Sequence, residues 1–162
     1  AISELYNLLG TLRDDESPDP DPTRGAAGLA DLVAETRAVG LAVEFESIGS
    51  PRELAPLVNL TVYRITQEAL TNAVKYAGSG ARVSVRLRYL PTSVEVEISD
   101  TGGGRTAKAQ GAGLGLVGMR ERVSALAGTL EAAPRKAGGF LVRAALPTAA
   151  PSPSLLSETI SS

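Results

Sequence analysis

Residues 63–78, YRITQEALTNAVKYAG, carry an apolar stripe and a polar stripe together, and the polar one decides how the chain is read. Residues three and four apart share a helix face, so Glu68, Asn72, Lys75 and Tyr76 fall on one side. A carboxylate, an amide and an ammonium one turn apart suit a metal and a phosphate chain better than a core. A solvated helix face has no need of that set, since Ser, Gln or Arg would serve as well.

The surrounding composition narrows the chemistry. The chain has 162 residues, long enough for one well-packed domain. It is 43% hydrophobic with only 4% aromatic residues, so the core has to be built from Leu, Val, Ile and Ala. A formal net charge of −2 and the lack of a basic cluster argue against a nucleic-acid or membrane-surface partner. Cysteine is absent, which excludes disulfides and thiolate metal sites. Histidine is absent too, which excludes a Ser-His-Asp triad and His-ligated zinc. Chemistry here rests on carboxylates, amides, Lys and backbone N–H groups. No secretory signal and no apolar run long enough for a membrane span is seen, so a cytoplasmic location is expected.

Outward from the helix, the chain divides by its punctuation. Leu5, Leu8, Leu9 and Leu12 in residues 1–13 form one narrow apolar helical face. The acidic, Pro-rich stretch that follows makes 14–25 a linker. Residues 26–39 read as a short helix stopped at Gly40, and 41–48 as a half-buried strand. Pro56 suits the first turn of the long helix, 57–77. Leu57, Leu60, Ile65, Ala69 and Ala73 are its expected buried face. Strict alternation in RVSVRLRYL (82–90) and SVEVEIS (93–99), around Pro91–Thr92, predicts a hairpin with one wet face. After a Gly-rich loop come a helix over 114–127, with Gly128 beyond its last turn, and strands over 129–133 and 139–146. The tail, 148–162, reads as disordered. Tightly joined strands and few helices favour a two-layer α/β sandwich, with a mixed, mostly antiparallel sheet and helices on one face.

Two Gly-rich motifs follow the first stripe. Asp100-Thr-Gly102-Gly-Gly104 lies directly after a strand. An ionised Asp only accepts hydrogen bonds, so it suits an exocyclic amine such as that of adenine, while glycines let the backbone approach a ligand. Taken alone, Asp-Xaa-Gly is a common turn. Gly111-Ala-Gly113-Leu114-Gly115-Leu116 runs into a helix start, where free N–H groups and the helix dipole attract phosphate. It is neither a P-loop nor a Rossmann fingerprint, because Gly-Lys-Ser/Thr and the GxGxxG spacing are missing.

In combination and in this order, the motifs resemble the ATP-binding fold shared by histidine kinases, gyrase, the Hsp90 chaperones and the mismatch-repair ATPases. RITQEALTNAVKYAG and GLGLVGMRERV are similar to the catalytic domain of bacterial sensor histidine kinases, in particular those with a short lid and helix-turn-helix response regulators. The resemblance covers 27–147, within an ATP-binding domain expected over 26–147. It implies that Asn72 ligates Mg²⁺ and that Glu68 polarises the attacking group. Lys75 and Tyr76 would contact phosphate and ribose. Asp100 would read the adenine amine, with Gly102 and Gly104 under the base. Gly113, Leu114, Gly115 and Leu116 would lie beside the triphosphate at the end of the lid.

This chain departs from the family in three places. Only Arg105–Gln110 separates the Gly motifs, which leaves Lys108 as the candidate for a γ-phosphate contact. Gly138-Gly139-Phe140 stands where the wider fold often has Thr or Ser beside an adenine-bound water. The phosphoacceptor histidine is not in the chain, and 1–13 resembles the end of the second helix of the dimerisation hairpin that carries it. The implied partners are therefore ATP, that histidine-bearing domain and a response regulator, with a monomer expected for the fragment itself. Two other readings stay open: a serine kinase of the anti-sigma-factor type on the same fold, and a non-catalytic module docking through Leu5, Leu8 and Leu12.

Overall fold

The computed structural model of the chain describes residues 25–102 and 114–148. The 1–13 helix remnant, the linker up to Arg24, Gly104, Lys108, Gly113 and the tail beyond Thr148 lie outside the described residues. A 3-10 turn, Ala26–Gly28, leads into α1, Leu29–Ala38. Then come β1 (Ala42–Ile48), α2 (Pro56–Tyr76), β2 (Arg82–Tyr89), β3 (Ser93–Asp100), α3 (Leu114–Ala125), β4 (Thr129–Pro134) and β5 (Phe140–Pro147). The strands form one sheet in the order β1-β2-β3-β5-β4. Only β1 and β2 are parallel, and the other three pairs are antiparallel. This is the expected mixed, mostly antiparallel sheet with a helical layer on one face.

Alternation decides which face is covered. Val83, Val85 and Leu87 of β2 and Val94, Val96 and Ile98 of β3 are buried, while residues between them are exposed or half-buried. Val142, Ala144 and Leu146 of β5 continue the same apolar face. Against it pack Leu29, Leu32 and Val33 of α1, Val62, Ile65, Ala69 and Ala73 of α2, and Met119 and Val123 of α3. Burial of each such aliphatic side chain stabilises the fold by about 1.5–3 kcal/mol. Among the described residues no helix is long and apolar enough to cross a membrane.

One expectation about α2 is corrected. Leu57 is 54% exposed and Leu60 only half-buried, and the buried stripe runs instead through Val58, Val62, Ile65, Ala69 and Ala73. Stepping back from Ile65 by three and four residues gives Val62 and Val58, so Leu57 belongs to a different face. Pro56 opens the helix in its first turn, where a missing N–H costs nothing.

The uncovered face of the sheet is charged in rows. Glu46 is opposite Arg86, Arg86 opposite Glu97, Glu97 opposite Arg143, and Arg143 opposite Glu131, so one row crosses all five strands with alternating sign. Arg143 donates twice to Glu97 Oε2, at 3.0 Å from Nε and 2.8 Å from Nη2. Arg86 Nε lies 3.7 Å from Glu46 Oε2. The hydrogen bond to Glu97 and the charges of Glu97, Glu131 and Glu95 push the Arg143 guanidinium above its ordinary value. Exposed pairs of this kind contribute little singly, on the order of a few tenths of a kcal/mol each, but together they favour one register.

At the hairpin end of the sheet Arg52 ties three segments together. It donates to the carbonyl of Leu90, to that of Ser93 at 3.1 Å and to Thr148 Oγ1 at 2.6 Å. Its guanidinium also sits 5.8 Å from the Tyr89 ring centroid.

α3 ends at Ala125, two residues short of the expected 127. Ala127, not Gly128, adopts a left-handed conformation, with φ 60°. Gly128 N–H donates to Val123 O at 2.8 Å and Ala127 N–H to Ser124 O at 3.0 Å, the paired bonds of a Schellman stop. Gly128 is needed for space instead, since a Cβ there would come within 2.4 Å of Ala145 O. Ala127→Gly is therefore expected to stabilise the fold by about 0.5–1 kcal/mol, the strain relieved less the added chain entropy. A denaturant titration checks this, and a lower midpoint for the variant would refute it.

Candidate functional site

Asp100 is set in place by the same alternation that builds the core. Val94, Val96 and Ile98 face the helices, and Asp100 takes the next inward position of β3. It is only 4% exposed. A carboxylate in that position needs hydrogen-bond donors around it. One is the Gly102 N–H, which donates to Asp100 Oδ1 at 3.0 Å and turns the chain at the end of the strand. Thr101 keeps that end paired to β2, donating from its N–H to Arg82 O at 3.0 Å and accepting from Arg82 N–H on Oγ1 at 2.9 Å.

Glycine is required on two sides of this carboxylate. A Cβ on Gly102 would lie 2.2 Å from Ala77 O, just past the end of α2. The end of β3 is thus pressed against the C-terminal end of the helix that carries the polar stripe. A Cβ on Gly139, at the start of β5, would lie 1.7 Å from Asp100 O and 3.1 Å from its Oδ1. Gly139 belongs to the segment 138–140, where the wider fold often has Thr or Ser. Here it lets β5 approach the Asp100 backbone. From the end of β4, Arg135 Nη1 donates to Asp100 O at 3.0 Å. The sequence hid this bond because 35 residues separate its partners.

Asn72 on α2 is 8% exposed and Glu68, one turn earlier, is half-buried. Tyr76 is half-buried and Lys75 is exposed. Arg64, one turn before Glu68, was not singled out from the sequence, yet it is 7% exposed. Its spacing of four from Glu68 was the available signal. Leu114, Gly115 and Leu116 form the first turn of α3, as expected, and α3 packs on α2. Gly104 and Gly113, between Asp100 and that turn, lie outside the described residues. Around Asp100 the described residues bring together the end of β3, Ala77 just past the end of α2, and the β4–β5 turn.

An inward carboxylate at a strand end, two close-packed glycines and a buried amide on α2 are the features the described residues present here. Residues 58–150 match the family described as histidine kinase-, DNA gyrase B-, and HSP90-like ATPases, and the chain belongs to that family. Over 93 residues it is 39% identical to the signal transduction histidine-protein kinase/phosphatase DegS of Brevibacillus brevis, a match covering 56% of this chain and 24% of that protein. It is 38% identical over 93 residues to the oxygen sensor histidine kinase NreB of Staphylococcus carnosus, with 56% and 26% covered. The chain thus spans a quarter of the length of these curated relatives. Among solved structures, the histidine kinase domain of the blue-light activated histidine kinase EL346 from Erythrobacter litoralis is similar with a TM-score of 0.61 and 20% identity, covering 75% of this chain and 60% of that one. The catalytic domain of histidine kinase ThkA follows at 0.57 and 16%, covering 74% and 92%. At such identities the likeness is one of fold.

The two adjacent glycines of the β4–β5 turn separate conformational from steric demand. Gly138 and Gly139 have φ of 99° and 91°, but a Cβ on Gly138 meets nothing within 4 Å. Gly138→Ala is expected to cost about 1–2 kcal/mol, from the left-handed backbone alone. Gly139→Ala is expected to cost about 1–3 kcal/mol more by displacing the Asp100 backbone. Equal urea midpoints for the two variants would show that no close approach exists at Gly139.

Proposed function

We propose that this chain is the nucleotide-binding, phosphoryl-transferring part of a sensor histidine kinase with a short lid. In this reading it binds ATP with Mg²⁺ and passes the γ-phosphate to a histidine on a separate dimerisation segment. A response regulator then takes the phosphate onward, and the site of action is the cytoplasm, where ATP is available. The observation that carries the reading is the inward, 4% exposed Asp100 at the end of β3. It lies beside the Gly102–Ala77 approach to α2. The names of DegS and NreB support the same reading.

The residues fit this ligand by their chemistry. Asp100 accepts a hydrogen bond from the adenine amine, and Gly102 lets the base lie close to the chain. Asn72 offers an amide oxygen to Mg²⁺, a hard ion that takes oxygen ligands and keeps several waters. Among the described residues no group of three or more carboxylates forms a metal cage, so the remaining oxygens would come from phosphates and water. When bound, Mg²⁺ neutralises charge on the phosphates. Phosphoryl transfer needs chiefly positioning and charge neutralisation. Glu68, one turn from Asn72, accepts a proton from the incoming imidazole or orients it. Lys75 and Tyr76 contact phosphate and ribose, and the N–H groups of the first turn of α3 face the negative charge.

Two measurements test this. Mixing the chain with the matching histidine-bearing hairpin, Mg²⁺ and labelled ATP is expected to label the hairpin's histidine. Intact nucleotide binding without label would rule out transfer, and label on a serine would point to a serine kinase. In calorimetry, Asp100→Asn is expected to weaken ATP binding by about 1.5–3 kcal/mol through loss of a charge-assisted hydrogen bond. Unchanged affinity would remove Asp100 from base recognition.

A further inference from the structure

We infer that Arg135 is a positioning residue for the base-reading carboxylate, and so sets the preference of the site for adenine. The inference rests on the nucleotide reading above. The antiparallel ladder between β3 and β5 ends at Ser99 opposite Leu141, so the Asp100 carbonyl lies past its last pair. Asp100 is 4% exposed, so a hydrogen bond to its backbone is made largely out of water. Arg135 makes such a bond, donating from Nη1 to Asp100 O at 3.0 Å.

β5 lies between β4 and β3 in the sheet, so Arg135 has to reach over one strand. Beside that path, just before β5, the β4–β5 turn carries Gly139, where a Cβ would fall 1.7 Å from the same carbonyl oxygen. The turn that presents Arg135 is itself fixed by two bonds. Arg135 N–H donates to Gly139 O at 2.9 Å, and Gly138 N–H donates to Arg135 O at 3.1 Å.

Asp100 is therefore held twice. Its carboxylate is oriented by the Gly102 N–H from its own loop, at 3.0 Å, and its backbone is anchored by Arg135 from the β4–β5 turn. Discrimination between a base that donates an amine and one that presents a carbonyl depends on where the acceptor sits. Without Arg135 the end of β3 keeps its pairing to β2 and β5 but loses the donor that reaches the Asp100 carbonyl from the β4–β5 turn. Arg135 acts through Asp100 in this account and touches neither phosphate nor metal.

The test is a set of calorimetric titrations of the full chain with ATP·Mg²⁺, GTP·Mg²⁺ and tripolyphosphate·Mg²⁺, accompanied by thermal melts. The unsubstituted chain is expected to prefer ATP to GTP. Arg135→Ala is expected to weaken ATP about fivefold to tenfold, and to narrow the ATP-to-GTP ratio by the same factor. Tripolyphosphate affinity is expected to stay within about twofold, because the phosphate contacts lie elsewhere. Arg135→Gln, which keeps a shorter donor without the charge, is expected to fall between, and it serves as the variant to read if Arg135→Ala does not fold. An unchanged ATP-to-GTP ratio, or an equal loss for all three ligands, overturns the positioning role and leaves the nucleotide reading intact. Failure of the unsubstituted chain to bind ATP overturns the nucleotide reading, and this inference with it.

Discussion

Packing of α2 against the inner face of the sheet sets the rest of the structure. Val62, Ile65, Ala69 and Ala73 lie in the core between helix and sheet, and burying them fixes the rotation of the helix about its own axis. Asn72 precedes Ala73 and Glu68 precedes Ala69, so the polar stripe is fixed by the same contacts that stabilise the fold. The Gly102–Ala77 approach then brings the end of β3 to the end of this helix. Core and site are two sides of one element, and a change in the aliphatic layer moves the polar residues with it.

The most informative violation of pattern in the fold is Asp100. Three apolar residues, Val94, Val96 and Ile98, point to the helices, and a carboxylate takes the fourth inward position. Burying such a group is costly unless donors surround it. Local conflict of this kind concentrates at functional sites, where stability is traded for chemistry. The Gly102 N–H donates to this carboxylate, and Gly139 leaves room beside it.

Element boundaries were legible in the sequence to within two residues, except that α1 starts at Leu29, three residues past the expected 26, because a 3-10 turn comes first. Strict alternation in β2 and β3, Pro56, Gly40 and the Pro91–Thr92 turn are local signals, and local physics decides them. The one-face helical layer followed from the same alternation. Facts that depend on distant neighbours were hidden. Leu57 misled because the phase of the α2 stripe is set by what it packs on. Ala127 gave no sign of its left-handed backbone, since the demand for a glycine at 128 comes from β5. The bond from Arg135 to Asp100 joins residues that no local pattern relates, and Arg64 stood one turn outside the stripe as drawn.

The charged row across the open face also bears on how copies of the chain meet. Among the described residues β1 pairs only with β2 and β4 only with β5, so both are edges with unpaired backbone groups. An odd number of strands with alternating sign leaves the same charge at each end, Glu46 on one edge and Glu131 on the other. Two sheets aligned edge to edge in that row would bring carboxylate against carboxylate, whichever edges met. The row that keeps the five strands in register thereby discourages a sixth from another molecule.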